Sequence, residues 1–381
     1  MTFYPDNVPD FPWDTLAEVR RQAARYPEGV VDLTIGTPVD DTPAMIQQVL
    51  AQASNAPGYP PAIGIERLRE EIIRWLARRR GITSSVGVIP TLGSKELVGL
   101  LPALLGIAVG SRIGIPAIAY PTYEVGARLA GCEPVIVDTE ADPASWPTDL
   151  ALLWVNSPSN PSGHVLDVAQ LRAIVAWARA NGVIIASDEC YAELCWDVPY
   201  SPSLLADEVC GGDPSQLLML YSLSKQSNLA GYRAAFMAGD SQLVAGVIEL
   251  RKHLGFMMPT PVQQAMAVAL ADDEHVRVQR ERYRRRREVL LQAMPEAGLR
   301  HDPDSVAGLY VWARVAQADW ACDGWDIVRA CAQLGIVVAP GHFYGDAGRS
   351  WVRMSLTASD MDIARAAERL NLLSHLLQNA I

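Results

Sequence analysis

The chain has only three lysines, Lys95, Lys225 and Lys252, so few side chains could form a Schiff base with a carbonyl compound. Lys252 follows Arg251 in an amphipathic segment, which favours a place on the surface. Lys225 comes soon after an apolar run of strand length, at the edge where ligands of open parallel sheets bind. Lost solvation and nearby cations free a lysine amine to attack an aldehyde. The sequence predicts that Lys225 is such a nucleophile, with a solvated or structural lysine as the alternative.

Hydroxyl and guanidinium groups accompany Lys225. Ser222 and Ser224 precede it, and Arg233 lies eight residues after it. Two hydroxyls and a guanidinium suit a dianionic phosphate. A phosphate and an amine-reactive aldehyde on one molecule describe pyridoxal phosphate, so we expect this cofactor.

Three more side chains could hold the cofactor ring. Asp188 ends another apolar run, and a carboxylate is the usual partner that keeps the pyridine nitrogen protonated. Tyr191 and Asn160 could donate hydrogen bonds to the phenolate oxygen. The alternatives are structural, because Asp188 could be a helix N-cap and the prolines and glycine near Asn160 could form a simple turn.

The order of these motifs resembles the class I and II aminotransferases, the fold type I pyridoxal-phosphate enzymes, over essentially the whole chain. The matching motifs are Asn-Pro-Ser-Gly at 160–163, Asp188 with Tyr191, Ser-Leu-Ser-Lys at 222–225 and Gly-Tyr-Arg at 231–233. The resemblance implies that Lys225 holds the cofactor and later carries a proton between substrate and cofactor. It implies that Asp188 binds the pyridine nitrogen, and that Tyr191 and Asn160 bind the phenolic oxygen.

The same resemblance implies further residues around the cofactor. Gly93, Ser94 and Lys95 match the phosphate-binding loop, whose backbone amides open a helix. Tyr123 matches the aromatic residue that stacks on the ring. Tyr59 matches the tyrosine that reaches the phosphate of the neighbouring subunit, which implies a homodimer with shared active sites.

The resemblance also implies the substrate-binding residues. Arg353 matches the arginine that binds the substrate α-carboxylate through two hydrogen bonds, with Asn160 beside it. Gly36 matches the loop that closes over this carboxylate. Lys95 and Tyr232 depart from the family pattern, which usually has a small residue and a tryptophan there, and Lys95 adds a charge near the mouth of the site.

Longer runs, at 11–16, 91–98, 120–126 and 222–232, resemble the actinobacterial succinyldiaminopimelate transaminases of lysine biosynthesis. This implies transfer of an amino group between glutamate or 2-oxoglutarate and N-succinyl-2-amino-6-oxopimelate. Such a substrate needs a distal cation, for which Lys95 is the candidate. A broad aspartate or aromatic aminotransferase, a C–S lyase and a decarboxylase remain alternatives, because one fold supports many reactions. The absence of a basic helix-turn-helix before the first predicted elements disfavours a transcription regulator.

Alternating short apolar and longer amphipathic segments between residues 58 and 239 predict an α/β fold with a mainly parallel sheet and crossover helices. The clearest predicted strands are 113–117, 134–137, 151–156, 183–187 and 217–220, all apolar enough to be covered on both faces. Asp167 and Gly182 are predicted to cap and end one crossover helix.

A long charged helix at 273–294 precedes an α+β part with strands at 309–313, 336–339 and 351–356, a helix at 325–334 and a final helix from Ser359. We therefore predict a large cofactor-binding domain over 31–279 and a small α+β domain formed by 1–30 and 280–381. The basic run 284–287 is predicted to be a solvated helix face, since Glu281 and Glu288 are close to it.

The formal charge of −11 and pI near 5.1 disfavour nucleic-acid and membrane partners and favour a small-molecule partner. The resemblance implies that the small molecules are amino acids and 2-oxo acids. The sequence has no recognisable secretory signal and no membrane-spanning apolar run, so we expect a cytoplasmic protein. The six cysteines form no CxxC pair, which predicts reduced thiols and neither a metal site nor disulfides.

Overall fold

The computed structural model describes residues 8–317 and 322–380; the ends of the predicted small domain, at 1–7 and 381, and its segment 318–321 lie outside these ranges. The strands are β1 Val31–Asp32, β2 Gly87–Leu92, β3 Arg112–Pro116, β4 Glu133–Val137, β5 Leu150–Asn156, β6 Ile184–Asp188, β7 Leu217–Ser222, β8 Ala234–Gly239, β9 Leu299–His301, β10 Tyr310–Val315, β11 Ile336–Val337, β12 Ala339–Pro340 and β13 Trp351–Ser355. The helices are α1 Ala17–Ala23, α2 Ala44–Gln52, α3 Glu66–Arg80, α4 Ser94–Leu104, α5 Thr122–Leu129, α6 Val168–Asn181, α7 Asp207–Cys210, α8 Leu223–Gln226, α9 Ser241–Leu254, α10 Thr260–Ala271, α11 Glu274–Ala293, α12 Gly324–Gln333, α13 Asp360–Leu370 and α14 Leu373–Ala380.

A seven-stranded sheet forms the centre of the molecule, in the order β2-β8-β7-β6-β5-β3-β4. Its strands are parallel except β8, which is antiparallel to both of its neighbours. The five predicted strands are all present, so the predicted α/β class is confirmed. Asn156 pairs with Asp188, and Asp188 pairs with Leu220, so the carboxyl ends of β5, β6 and β7 lie side by side. Chemical groups that follow these strands therefore meet at one edge.

The prediction that every clear strand is covered on both faces was wrong for β4. This strand lies at the edge of the sheet, where Ile136 is 63% exposed. Its apolar composition resembles that of the inner strands, but it has a neighbour on one side only. Position in the sheet, which strand composition does not reveal, decides this difference.

Helix α6 begins and ends where the sequence predicted. The Asp167 side chain accepts a hydrogen bond from the backbone of Gln170, and the Gln170 side chain accepts one from the backbone of Asp167. Gly182 adopts a left-handed conformation with φ of 69° and ends the helix. The helix buries Leu171, Ile174, Val175 and Ala178 against the sheet, as its periodicity predicted.

The C-terminal part contains a four-stranded antiparallel sheet in the order β12-β13-β10-β9. The strand predicted at 336–339 is two short strands, because the chain leaves its pairing with β1 at Val338 and joins β13. Strand β1 pairs with β11 and belongs to the C-terminal core, although it starts the predicted large domain. The division at residues 31 and 280 stays a prediction.

The basic run on α11 is only partly solvated, so the prediction for 284–287 was wrong for half of it. Arg284 is exposed between Glu281 and Glu288. Arg286 is buried and pairs with Asp40 and Asp360, and Arg287 is buried against Asp197 and the carbonyl of Ser305. Helical periodicity places these two arginines on the face that carries Tyr283 and Leu290, where carboxylates from other elements compensate their charge.

All six cysteines are free thiols and are buried. Over residues 8–317 and 322–380, no helix is both long and apolar enough to cross a membrane.

Candidate active site

A cavity of about 590 Å³ lies at the carboxyl ends of β5, β6 and β7, between the central sheet and the C-terminal part. Twelve of the predicted site residues line it: Gly36, Ser94, Lys95, Tyr123, Asn160, Asp188, Tyr191, Ser222, Ser224, Lys225, Arg233 and Arg353. Residues almost 320 positions apart in the chain therefore share one cavity, as the order of the motifs predicted.

Lys225 lies on the short helix α8, directly after β7. Its amine donates a hydrogen bond to the carbonyl of Gly36, on the opposite wall of the cavity. Burial lowers the pKa of Lys225, and the nearby charges of Arg353 and Arg233 lower it further. The amine is therefore easier to deprotonate than that of an exposed lysine, as a Schiff-base nucleophile requires.

Asp188 is a buried carboxylate at the end of β6. It accepts hydrogen bonds from the Tyr123 hydroxyl, at 2.9 Å, and from the backbone of Cys190, at 3.2 Å. Burial raises the pKa of Asp188, and among the described residues no cation lies within ion-pair distance of it. A protonated pyridine nitrogen would supply the missing charge, so this carboxylate fits the predicted cofactor.

The groups predicted to bind phosphate lie on three elements. Ser222 donates to Ser224 across 2.8 Å, and Ser94 begins α4, whose first amides are free to bind an anion. Arg233 packs against Gly93, where a Cβ atom would come within 2.7 Å of the guanidinium carbon. Hydroxyls, a helix N-terminus and a guanidinium thus converge as a dianionic phosphate requires.

Replacing Gly93 with alanine is expected to weaken cofactor binding. Gly93 has a φ of 82°, which costs an alanine about 1–2 kcal/mol, and the new methyl group would also push Arg233 away. We expect the dissociation constant for pyridoxal phosphate to rise roughly tenfold or more, measured by absorbance titration of the apoprotein. Gly106→Ala is the matched control, because Gly106 has a φ of 67° and no atom within 4 Å of the added methyl group. Equal affinity loss in both variants would refute the packing argument.

Arg353 is 2% exposed and projects from β13. One guanidinium nitrogen donates to the Asn160 side-chain oxygen at 3.0 Å, and another donates to the carbonyl of Thr34. Its charge lies 3.9 Å from the centre of the Tyr310 ring. No carboxylate of the described residues forms an ion pair with it, so a substrate carboxylate would meet an uncompensated buried cation.

Asn160 retains a donor for the cofactor. Its carbonyl oxygen accepts from Arg353, which leaves its amide nitrogen free. His164, four residues later, bridges Glu140 at 2.8 Å and Asp302 at 3.1 Å. Burial alone would lower the pKa of His164, but these two hydrogen bonds raise it to about 10. The imidazolium therefore ties the loop of Asn160 to the C-terminal part.

His164 also has Asp302 and Asp304 within metal-ligand distance, a grouping that sequence spacing did not indicate. These three residues come together only through the packing of the C-terminal part on the loop after β5. The cluster has its own internal hydrogen bonds, and nothing further points to an ion there.

Two tyrosines of the stretch 120–123 have different surroundings. Tyr123 is fully buried, stacks on Trp154 with ring centroids 4.8 Å apart, and uses its hydroxyl to contact Asp188. Tyr120 is only partly buried and lines the cavity. Both rings line the cavity, so the stacking role of Tyr123 stays a prediction, and Tyr120 is a second candidate for it.

Two predicted residues do not line the cavity of their own chain. Gly93 lies just behind it, under Arg233. Tyr59 is 95% exposed, so its predicted contact with the phosphate of a neighbouring subunit stays a prediction.

Several lining residues were missed at the sequence level: Phe11, Trp13, Asp14, Arg20, Ile35, Thr37, Tyr120, Asn156, Cys190, Ala230, Gly231 and Tyr310. Phe11 and Trp13 belong to the N-terminal segment and form the mouth of the cavity. Cys190 lies between two predicted residues, so proximity in the sequence could have found it. Tyr310 comes from β10, and no local signal indicates that it faces the site.

Ser227, two residues after Lys225, begins a chain of hydrogen bonds. Ser227 contacts His275 at 2.8 Å, and His275 contacts Asp272 at 2.7 Å. The order of groups is that of a nucleophile triad, but Ser227 has no exposed surface and a substrate could not reach it. These bonds connect α8 with the start of α11, and thus support the segment that carries Lys225.

The matching family model, the similar sequences and the similar solved structure are all aminotransferases or transaminases. Residues 28–370 match the family model described as aminotransferase class I and II. A Mycobacterium tuberculosis protein named a probable aminotransferase is 50% identical, over 96% of this chain and 85% of its own length. The 4-dedimethylamino-4-oxo-anhydrotetracycline transaminase OxyQ of Streptomyces rimosus is 48% identical, over 95% of this chain and 99% of its own. A solved structure from Thermus thermophilus, titled a probable N-succinyldiaminopimelate aminotransferase, has a TM-score of 0.85 and 26% identity, covering 95% of this chain and 100% of that one.

Proposed function

The chain belongs to the class I and II aminotransferases, pyridoxal-phosphate enzymes, and from this premise we propose that it moves an amino group between glutamate and an acceptor with a distal negative charge. The acceptor that we propose first is N-succinyl-2-amino-6-oxopimelate, whose keto carbon, adjacent to a carboxylate, would receive the nitrogen. The observation that carries this proposal is that Lys95 and Arg353 line the same cavity and that neither forms an ion pair with a carboxylate of the described residues.

Each of three side chains in the cavity has its own role. Bound pyridoxal phosphate supplies an aldehyde that condenses with amines and a protonated ring that withdraws electrons. With the cofactor bound, Lys225 would hold it through its amine and would move a proton to and from the substrate Cα. Asp188 keeps the ring nitrogen protonated, and Arg353 orients the substrate through its α-carboxylate.

Lys95 supports the choice of an anionic acceptor. Its amine lies 5.1 Å from the ring centre of Phe11 and 5.8 Å from that of Tyr120. Burial lowers the pKa of Lys95, and the charge of Arg233 lowers it further. Lys95 is nevertheless exposed, and among the described residues no carboxylate pairs with it, so its charge is accessible to a distal carboxylate.

Replacing Lys95 with alanine is expected to raise KM for the succinylated substrate roughly tenfold and to change KM for a neutral amino acid little, because one charge-assisted hydrogen bond is lost. Coupled assays with 2-oxoglutarate would measure both constants. Lys252→Ala is the matched control, since Lys252 is exposed and pairs with Glu249. Equal changes in KM for both substrates would remove Lys95 from this role.

The products released distinguish a transaminase from a lyase with the same fold. With glutamate alone, an aminotransferase releases 2-oxoglutarate in a single burst equal to the enzyme present. A C–S lyase instead releases ammonia and pyruvate continuously from cysteine-type substrates. Continuous pyruvate release without the burst would reject transamination as the main activity.

A bulky cyclic ketone is the second acceptor that we consider. The Streptomyces relative is named for a tetracycline intermediate, and here Phe11, Trp13 and Tyr120 supply an aromatic mouth. A panel of succinyldiaminopimelate, aspartate, aromatic and branched donors, together with a polycyclic ketone acceptor, would separate these possibilities. A kcat/KM highest for the polycyclic ketone would replace our first choice.

We also propose a homodimer with shared sites, in which Tyr59 contacts the cofactor phosphate of the other subunit. The 95% exposure of Tyr59 and its distance from its own cavity support this proposal. Mixing an inactive Lys225→Ala chain with an inactive Tyr59→Phe chain tests it, because hybrid dimers would regain one intact site. No recovered activity in proven hybrids would count against the shared site.

A further inference from the structure

Tyr310 brings a second phenol to the centre of the cavity. It lies at the start of β10, is 4% exposed, and its hydroxyl oxygen is 3.2 Å from that of Tyr191. Tyr191 is the proposed hydrogen-bond donor to the phenolic oxygen of the cofactor. The two tyrosines therefore form a chain that would end on the cofactor.

The position of Tyr310 is tightly constrained. A Cβ atom on Gly36 would lie 3.0 Å from the ring carbon that bears the Tyr310 hydroxyl. The Arg353 guanidinium covers the face of the ring at 3.9 Å. The Tyr310 hydroxyl is thus held between the Gly36 backbone and Tyr191, with little freedom to find another partner.

The charges around the pair decide which hydroxyl donates. Burial raises the pKa of Tyr191 well above its ordinary value. Burial alone would also raise the pKa of Tyr310, but the cations of Arg353 and Lys225 outweigh it and lower this pKa. The 3.2 Å distance allows either hydroxyl to donate, and the more acidic phenol is the better donor. These charges therefore favour donation from Tyr310, which leaves the Tyr191 proton available for the cofactor.

We infer that Tyr310 is a positioning residue that acts through Tyr191, donating to its oxygen and so strengthening its hydrogen bond to the cofactor phenolic oxygen. Hydrogen bonds in a chain polarise one another, which gives this effect. A stronger bond withdraws negative charge from the phenolic oxygen, and the nitrogen that joins Lys225 to the cofactor then holds its proton less firmly. This inference rests on the proposed role of Tyr191.

A pH titration of the visible absorbance of the holoenzyme tests the inference without measuring turnover. Tyr191→Phe should raise the proton affinity of the linking nitrogen roughly tenfold, because a whole hydrogen bond is lost. Tyr310→Phe should raise it roughly threefold, since only the cooperative part of that bond is lost. The double variant should titrate like Tyr191→Phe alone, because the second change acts only through the first.

Tyr344→Phe is the matched control. Tyr344 is also buried beside Arg353, at 5.1 Å, but its hydroxyl has no hydrogen-bond partner in the described chain, so its loss should leave the titration unchanged. A shift with Tyr191→Phe and none with Tyr310→Phe would overturn our inference and leave the role of Tyr191 intact. No shift in either variant would overturn both. If Tyr310→Phe still raises the proton affinity of the linking nitrogen when Tyr191 is already phenylalanine, Tyr310 acts on the cofactor directly. That result would also overturn the inference.

Discussion

Replacing Lys225 with alanine is expected to abolish the visible absorbance of the lysine-bound cofactor and to lower turnover roughly 10⁴-fold or more. The variant loses both the amine that attacks the aldehyde and the general base at the substrate Cα, and general acid–base catalysis alone contributes roughly 10²–10⁴-fold. Lys225→Arg keeps the positive charge but not a deprotonatable amine, so we expect it to be almost as inactive. Absorbance spectra and single-turnover kinetics would measure both effects.

The control for this experiment is another lysine of the same chain. Lys252 is exposed and paired with Glu249 at 2.6 Å, so Lys252→Ala should keep the spectrum and the turnover of the wild type. Borohydride reduction of the holoenzyme should leave a stable cofactor adduct on Lys225. Wild-type activity in Lys225→Ala, or an adduct on Lys95 or Lys252 instead, would refute the assignment.

Replacing Arg353 with alanine should have the second largest effect, on substrates that carry an α-carboxylate. Two charge-assisted hydrogen bonds, each worth about 1.5–3 kcal/mol, are lost, so kcat/KM for amino acids should fall by roughly 10²–10⁴-fold. Arg353→Lys keeps the charge but not the paired geometry, and we expect an intermediate loss. Steady-state kinetics with glutamate would give these values.

Comparing substrates with and without a carboxylate distinguishes the loss of substrate binding in Arg353→Ala from structural damage to the cavity. A primary amine without a carboxylate should react equally well with the wild type and with Arg353→Ala, because it makes no bond to the guanidinium. Arg349→Lys, at an exposed position four residues earlier, should behave as the wild type. Arg353 also packs on Tyr310 and Tyr344, so the melting temperature should be recorded. An equal loss for the amine would show that the cavity, not carboxylate binding, had been damaged.

The chemistry of the site could be predicted from local sequence because each group follows a strand. Asp188 and Ser222 end apolar strands, and Lys225 lies in the short helix that follows one of them. Parallel strands bring their carboxyl ends to a single edge, so groups far apart in the chain were expected to meet there. Helix α6 was predictable for a similar reason, since Asp167 and Gly182 are local capping signals.

Other features depend on contacts that local sequence does not encode. Tyr120 and Tyr123 belong to the same motif, but only the folded chain shows that Tyr123 stacks on Trp154 and donates a hydrogen bond to Asp188. The buried arginines of α11 are compensated by Asp40, Asp197 and Asp360 from distant segments.

The sequence by itself determined the fold class and the cofactor of this protein, and it singled out Lys225 as the candidate nucleophile, because strand ends, helix caps and a scarce lysine are signals read within a few residues. Only the tertiary structure decided that Tyr310 contacts Tyr191 and that no carboxylate of the described residues pairs with Arg353. Both depend on how the C-terminal sheet packs on the central one. Packing distances and uncompensated charge are properties of atoms brought together from different segments, so they appear only when those segments fold against each other.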